Sequence, residues 1–206
     1  MLFSVVMQST LKDYIGAAKN RAEKLRRAIS SVLMQTFQDF ELIVVADRCD
    51  ETFTIAKEFV NQRLTVHYST WENTQTKWSA HCRNVGIDLA KGMYILYIDN
   101  DDMFESTYLQ RLANEIKRTY ADFYITSHYE IVKNELKPCS TFIGHGGAGT
   151  ANIIHKRKIN TRWQRECFYG MEDYRFIKGL LNETKDYKEI FISGYIIMHK
   201  NGCYDY

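Results

Sequence analysis

The sequence predicts an α/β protein with a mostly parallel β-sheet flanked by helices. Two observations lead to this fold class. Segments with apolar residues at helical spacing alternate with short apolar strands through the first two-thirds of the chain, which is typical of parallel sheets with right-handed helical crossovers. Residues 40–46, FELIVVA, form a nearly continuous apolar run, as expected where helices cover both faces of a sheet.

The elements of this region follow from the spacing of apolar residues. A strand over residues 2–7 comes first, and the helix over 19–36 after it carries an apolar stripe along one face. Gly92 is expected just after a later helix, at the position that often takes a left-handed conformation. The remaining elements are strand 40–46, helix 51–62, strand 64–68, helix 79–91, strand 94–102, helix 106–118 and strand 122–126.

The pattern loosens in the last third of the chain. Residues 128–165 contain short β-like pieces, Pro138 and the glycine-rich loop 144–149. A helix is predicted again over 171–181, and residues 189–200 contribute one or two strands. Because no repeat or low-complexity linker separates the two parts, the second is expected to extend the same fold.

Composition places the chain among ordinary globular proteins. Its 206 residues can bury a full core, with 45% hydrophobic and 25% charged residues. A net charge of +2 argues against nucleic acid as a partner. The five cysteines are widely spaced and odd in number, which favours free thiols in a reducing compartment. With no signal peptide and no apolar run near the roughly 20 residues of a membrane span, a cytoplasmic protein is expected.

The most informative segment is YILYIDNDD, residues 94–102, an apolar run that ends in Asp99, Asp101 and Asp102. Uncompensated carboxylates are costly to bury, so these acids are expected at the carboxyl end of the strand, where open α/β sheets bind ligands. Clustered oxygen ligands suit Mg²⁺ or Mn²⁺ holding a substrate's phosphates. The alternative is a polar turn in which Asp102 and Glu105 form a helix capping box.

Two more candidates follow other predicted strands and helices. Asp47 comes directly after the strand FELIVVA and could accept hydrogen bonds from a nucleobase or ribose, or else cap the next helix. Arg83 could pair bidentately with phosphate, and Asn84 could brace the loop at the strand end. The alternative for Arg83 is an ordinary surface arginine.

The late segment YGMEDYRF places Glu172 and Asp173 at the start of a helix. A carboxylate there could act as a general base for a substrate hydroxyl, although the helix dipole alone also favours acids at this position. His199 ends an apolar strand and is either a metal ligand or an ordinary core or surface histidine.

Aromatic and basic residues add further candidates. The three tryptophans could stack on sugar rings, with core packing as the alternative. The basic run 155–158 could be a solvated face or a phosphate contact. The tryptophans are Trp71, Trp78 and Trp163.

Taken in order, these segments resemble the family-2 glycosyltransferases, which have a GT-A fold. The matching stretches are FSVVM, RAISSVLMQTFQDFELIVVAD, HCRNVGIDLAKGMYILYIDNDD and GMEDYRF. The resemblance covers residues 2–120 closely and the remainder loosely. It departs from the family after the second strand, where Arg48 and Cys49 replace the usual Gly-Ser.

The resemblance implies roles in binding the sugar donor. Asp47 matches the acid that contacts the base of the donor nucleotide, and Arg83 matches a residue near its phosphates or base. Asp99 belongs to the DXD motif and contacts ribose or metal. Glu172, in the late acidic motif, is assigned to donor binding as well.

The same resemblance implies a metal and a catalytic base. Asp101 is expected to contact Mn²⁺ or Mg²⁺ directly, with Asp99 as a second ligand. His199 resembles a C-terminal histidine that sometimes completes the metal site. Asp173 matches the catalytic base, which takes the proton of the acceptor hydroxyl.

Together these features predict a GT-A (Rossmann-like), mostly parallel central sheet flanked by helices, with a smaller C-terminal acceptor-side extension. The chain is expected to be one domain over residues 1–206, with residues 1–127 binding the nucleotide sugar and residues 128–206 on the acceptor side. The implied function is inverting transfer from a nucleotide-diphospho sugar, with a UDP-sugar favoured, to a glycan or lipid-linked acceptor in cell-surface polysaccharide or glycolipid assembly.

A lipid-linked acceptor would bring the cytoplasmic protein to the inner face of the membrane. The sequence leaves the oligomeric state open. Two other functions remain as alternatives. One is a catalytically inactive sugar-nucleotide or glycan-binding module. The other is a sugar-nucleotide nucleotidylyltransferase, which would need a glycine-rich basic loop after the first strand, and residues 8–19 do not supply it.

Overall fold

A computed structural model of the chain describes residues 1–12, 20–70, 80–133, 135–144, 146–164 and 171–198. The helices are α1 (Arg21–Leu33), α2 (Asp50–Lys57), α3 (Ala80–Leu89), α4 (Tyr108–Thr119) and α5 (Glu172–Glu183), with a 3₁₀ turn at Thr150–Asn152. The strands are β1 (Phe3–Ser9), β2 (Phe40–Asp47), β3 (Leu64–Ser69), β4 (Tyr94–Asp99), β5 (Met103–Phe104), β6 (Phe123–Thr126), β7 (His128–Val132), β8 (Glu135–Cys139), β9 (Ile153–Lys156), β10 (Tyr187–Ile190) and β11 (Tyr195–Ile197).

Seven strands form the main sheet, in the order β10-β6-β9-β4-β1-β2-β3. Strand β9 is antiparallel to both of its neighbours, whereas the other pairs are parallel. The predicted fold class, a mostly parallel sheet flanked by helices, is therefore confirmed.

Helices cover both faces of this sheet, which explains its apolar strands. Residues of α1, α2 and α4 belong to the core cluster on one face, and residues of α3 and α5 belong to the cluster on the other. Residues 40–46 of β2 are buried throughout, as a strand enclosed on both faces should be.

A second, four-stranded sheet has the order β5-β11-β7-β8. In it, β7 and β8 form an antiparallel hairpin, and β11 lies parallel to β7 and antiparallel to β5. The sequence did not predict this sheet, because β5 and β11 have only two and three residues, too few to show a period. The sheet positions the hairpin beside the carboxyl end of β4.

Two local expectations were wrong. Helix α2 ends at Lys57 instead of residue 62. Gly92 is not the residue that closes α3, which ends at Leu89. Its N–H donates to Ser4 Oγ at 2.8 Å, and a Cβ there would lie 2.5 Å from the carbonyl carbon of Phe3. Glycine is needed because the two backbones approach closely.

Within the described ranges, none of the helices has both the length and the apolar character needed to cross a lipid bilayer.

Candidate active site

A cavity of about 540 Å³ lies where β4, α3 and α5 meet the hairpin of the second sheet. It is lined by Arg83 of α3, Asp99 of β4 and Asp173 of α5. Asp99 is the last residue of β4, so the cavity is at the carboxyl end of a parallel strand, where open α/β sheets bind ligands.

The Arg83 guanidinium lies among the acids of this cavity. Its Nη2 is 3.6 Å from Asp99 Oδ1, and its positive charge also acts on the Asp173 carboxyl. With a side chain that is 11% exposed, Arg83 is not an ordinary surface arginine, and that alternative was wrong. The Arg83 guanidinium is thus a cation shared by the carboxylates of Asp99 on β4 and Asp173 on α5.

An aromatic stack holds Arg83 in this place. The guanidinium lies 4.7 Å from the ring centroid of Trp163, a geometry that favours a cation over an aromatic face. Trp163 in turn stacks on Phe176 of α5, with centroids 4.1 Å apart and planes inclined by 2°. Trp163 is buried, so it is a core residue here and not a platform for sugar.

Asn84 fixes the chain that carries Trp163. Its Nδ2 donates to the Trp163 carbonyl, and its Oδ1 accepts from the Trp163 N–H, both at 2.9 Å. We expected Asn84 to brace the loop at the end of β4, and that expectation was wrong.

Asp173 is a partly buried carboxyl in the first turn of α5. Burial raises its pKa, and the neighbouring carboxylates Asp99 and Glu172 act in the same direction. The hydroxyl of Thr150 donates to Asp173 Oδ1 at 2.5 Å, which lowers the pKa, as does Arg83. A carboxyl that is held by one hydrogen bond and has a raised pKa can take up a proton from a substrate.

Asp102 has a structural position. Its Oδ2 accepts from the Tyr195 hydroxyl at 2.8 Å, and its Oδ1 accepts from the Met198 N–H at 2.7 Å. The proposed capping box with Glu105 is therefore wrong: α4 has Thr107 at its N-cap without a side-chain cap. Asp102 instead ties β11 to the end of β4.

Asp101 lies in the turn that follows β4. Its main-chain carbonyl accepts from Arg27 Nη2 at 3.0 Å, which anchors this turn to α1. Asn100 is also held there, because its Nδ2 donates to Ser9 Oγ at 2.9 Å. The turn that carries the acids is thus bound to both α1 and β1.

Asp47 ends β2, the strand next to β1 in the sheet. Its Oδ1 accepts from Arg48 Nε at 2.8 Å, and Cys49, not Asp47, is the N-cap residue of α2. The cap alternative for Asp47 was therefore wrong. Arg48 has φ 49°, a left-handed conformation that favours glycine, and glycine is the usual residue of the resembled family at this place.

Glu172 also lines the cavity. Its Oε1 is buried and makes no hydrogen bond within the described part of the chain. A buried carboxylate oxygen without a partner is costly, so this atom is suited to accept a hydrogen bond from a bound ligand.

The basic run 155–158 is neither one solvated face nor a phosphate contact of the cavity. His155 is fully buried, and burial lowers its pKa to about 4. Lys156 pairs with Asp122 Oδ1 at 2.9 Å. His199, Trp71 and Trp78 lie outside the described residues, as do Cys167 and Cys203. Cys49, Cys82 and Cys139 form no disulfide within the described part of the chain.

Four of the polar cavity residues that sequence reasoning missed come from two elements. Thr150 and Asn152 form the 3₁₀ turn after the glycine-rich loop, and His128 and Glu130 come from β7. The spacing of His128 and Glu130 by two residues was a usable signal, because such residues face the same side of a strand. Nothing in the sequence marked Thr150 or Asn152.

Comparison with known proteins places the chain in a family. The model of the family described as glycosyl transferase family 2 matches residues 15–178. The chain is 31% identical over 172 residues to the poly(ribitol-phosphate) beta-N-acetylglucosaminyltransferase TarP of Staphylococcus aureus, covering 81% of the chain and 48% of TarP.

A second relative comes from Escherichia coli. The chain is 29% identical over 188 residues to the UDP-Glc:alpha-D-GlcNAc-diphosphoundecaprenol beta-1,3-glucosyltransferase WfgD, covering 86% of the chain and 72% of WfgD.

The fold is similar to that of a solved structure, residues 1–349 of S. aureus TarS in complex with UDP-GlcNAc. The TM-score is 0.77 at 20% identity, with 98% of the chain and 60% of the TarS fragment covered. The chain spans about half the length of TarP. Because the family model extends over most of the sequence, the chain belongs to glycosyl transferase family 2.

Proposed function

We propose that the chain transfers a glycosyl group, with inversion, from a nucleotide-diphospho sugar to an acceptor hydroxyl. The observation that carries the proposal is the position of Asp173: a partly buried carboxyl with a raised pKa lies in one cavity with the strand-end acid Asp99 and with Arg83. Family membership supports the reaction type.

The donor is proposed to bind along the carboxyl ends of β2 and β4. Asp47 is assigned to the nucleobase, since it ends the strand next to β1 and its side chain is 25% exposed. Arg83 is assigned to the phosphates, because a guanidinium can pair bidentately with them. Asp99 contacts ribose or metal, and Glu172 accepts a hydrogen bond from the donor. UDP is the favoured nucleotide, since TarS binds UDP-GlcNAc.

The oxygen ligands that Asp99 and Asp101 offer fit a divalent cation. Asp99 and Asp101 belong to one turn and offer carboxylate oxygens, the ligands that Mn²⁺ and Mg²⁺ prefer. His199 is proposed as a third ligand. When bound, the cation would neutralise charge on the diphosphate that leaves.

Asp173 is proposed to accept the proton of the acceptor hydroxyl as that oxygen attacks the anomeric carbon. Thr150 keeps the carboxylate oriented through Oδ1. Attack from the face opposite the diphosphate in one displacement inverts the anomeric centre, by the same stereochemical logic as in inverting glycosidases. Arg83 lies near the charge that develops on the phosphates.

The acceptor side is proposed to include residues 128–206, with residues 1–127 holding the donor. A glycan or lipid-linked acceptor is proposed, since TarP is named for poly(ribitol-phosphate) and WfgD for a diphosphoundecaprenol-linked sugar. The pathway would then be surface-polysaccharide or glycolipid assembly, at the cytoplasmic face of the membrane.

A thermal-shift panel tests the donor site. UDP, GDP, CDP and dTDP are each added with Mn²⁺, Mg²⁺ or EDTA, and a ligand at about 100 times its Kd should stabilise the protein by about 2.7 kcal/mol. We expect metal-dependent stabilisation by UDP that Asp47→Ala reduces. Asp39→Ala is the matched control, because Asp39 is 60% exposed and precedes the amino end of β2. No shift with any nucleotide would contradict the proposal.

A further inference from the structure

One face of the β7–β8 hairpin projects three polar side chains into the cavity. His128 and Glu130 are two residues apart on β7, and Cys139 is the direct cross-strand partner of His128. All three line the cavity with Asp173, and their potential ligand atoms lie within 4.8 Å of one another. Such a group could hold a metal ion, or it could bind a ligand through hydrogen bonds.

The amide of Asn152 distinguishes these two uses. Asn152 Oδ1 accepts from the Gly149 N–H at 3.0 Å, and Nδ2 donates to the Thr126 carbonyl at 2.8 Å. These two backbone contacts fix the orientation of the amide. The second hydrogen of Nδ2 therefore points to His128 Nδ1, which lies 3.1 Å away.

This contact determines the tautomer of His128. Nδ1 faces an N–H donor and must accept, so in the neutral ring Nε2 carries the hydrogen. Nε2 donates to Glu130 Oε1 at 3.2 Å. A metal-bound histidine normally donates its other ring N–H to an acceptor, and here Nε2 has no lone pair to offer. Asn152 therefore orients the His128 ring, and the ring in turn orients the Glu130 carboxylate.

The charges of the cavity indicate the chemistry of the ligand. The described residues that line it include the guanidinium of Arg83 and five carboxylates. Arg83 lies beside Asp99, on the donor side. An anionic group beside Glu130 would be repelled, whereas an uncharged hydroxyl can donate to a carboxylate. The carboxylates are Asp99, Asp102, Glu130, Glu172 and Asp173.

We propose that Glu130, oriented by His128 and Asn152, binds an uncharged hydroxyl of the acceptor, a sugar or a sugar alcohol, while another hydroxyl of the same molecule reaches Asp173. Glu130 is 22% exposed, and a carboxylate has about four lone-pair sites. It can therefore accept from a ligand in addition to His128. The proposal rests on the glycosyl-transfer function proposed above.

The experiment compares transfer with hydrolysis of UDP-GlcNAc. Ribitol, methyl β-D-glucopyranoside and ribitol 5-phosphate are the acceptor probes, and water is the competing acceptor. Glu130→Gln replaces a charged acceptor with a neutral amide and weakens the hydrogen bond from the ligand, so the KM for the neutral probes should rise about 10-fold, and the ratio of transfer to hydrolysis should fall. Glu135→Gln, the same change at an exposed position of the hairpin, should match the wild type.

Four kinetic or binding results would overturn the proposal. The kinetic ones are no transfer to either neutral probe by the hydrolytically active wild type, a wild-type KM in Glu130→Gln, and a preference for ribitol 5-phosphate over ribitol. The binding one is stabilisation by Zn²⁺ that Cys139→Ser abolishes. Nitrogen-15 spectra of the His128 ring should show the hydrogen on Nε2, and a hydrogen on Nδ1 would also overturn it. If the wild type neither hydrolyses nor transfers any UDP-sugar, the glycosyl-transfer function itself fails.

Discussion

The hydroxyl of Thr150 lies 2.5 Å from Asp173 Oδ1 and joins the 3₁₀ turn to the first turn of α5. Thr150 is 7% exposed, so this contact is shielded from bulk water. Because the hydroxyl donates to a carboxylate oxygen, it both orients Asp173 and favours its charged form. It also opposes the effect of burial, which raises the pKa of Asp173.

Thr150→Val should therefore impair Asp173 more than Thr150→Ser, which keeps the hydroxyl. The hydrogen bond from Thr150 lowers the pKa of Asp173, so without it this pKa rises further, because burial, Asp99 and Glu172 still raise it. A base must be deprotonated, so activity is lost as the pH falls through this pKa, and the acid limb of the UDP-GlcNAc hydrolysis profile should move to higher pH in Thr150→Val. We also expect a roughly 10- to 100-fold loss of kcat from misplacement of the base.

The pH profile separates this role from a purely structural one. Thr150→Ser should restore both the acid limb and most of kcat. If Thr150→Val lowers kcat equally at every pH, Thr150 does not act through the ionisation of Asp173.

Tyr195 is expected to be a main support of the turn that follows β4. Its oxygen accepts from the Asp99 N–H at 3.0 Å while its hydroxyl donates to Asp102 at 2.8 Å. Tyr195→Phe leaves both groups without this partner, which should lower the free energy of unfolding by about 2–4 kcal/mol in urea. Tyr120→Phe, at a residue that is 57% exposed, should change it by less than about 0.5 kcal/mol. Equal stability of the two variants would contradict this account of Tyr195.

His155 should make the stability of the fold depend on pH. Its pKa is lowered from 6.5 to about 4 by burial, so the folded protein keeps it neutral where the unfolded chain takes up a proton. Stability is therefore fully present above pH 6.5 and falls by about 3 kcal/mol as the pH drops through this window towards 4. Urea unfolding of the wild type and His155→Gln between pH 7 and pH 4 tests it, and the same pH dependence in both would exclude His155 as the cause.

The sequence was most informative about features that depend on neighbouring residues or on a regular spacing of apolar residues. The apolar run of β2 required cover on both faces, and the structure supplies helices there. The acids after residue 98 could not be buried without partners, and Asp99 does lie at the strand end in the cavity. Asp102 is an aspartate of the same acidic segment as Asp99, so the sequence does not distinguish the two. In the structure, Asp102 binds Tyr195 and Met198.

What could not be predicted depends on contacts between distant segments. Asp102 finds its partners 93 and 96 residues away, and no local pattern encodes such pairing. The sequence allows both sugar stacking and core packing for Trp163, and its contact with Phe176 places it in the core. Thr150 acquires its role only because α5 carries Asp173 next to it.

The most direct test of the central claim is UDP release from UDP-GlcNAc and UDP-glucose by the wild type, Asp173→Asn and Asp186→Asn. Asp173→Asn removes the base while keeping the shape of the side chain, so release should fall about 10²- to 10⁴-fold. Asp186→Asn, at an exposed position beyond the end of α5, should release UDP like the wild type. Release by Asp173→Asn at the wild-type rate, or none from the wild type, would contradict the claim that Asp173 is the base of a sugar transferase.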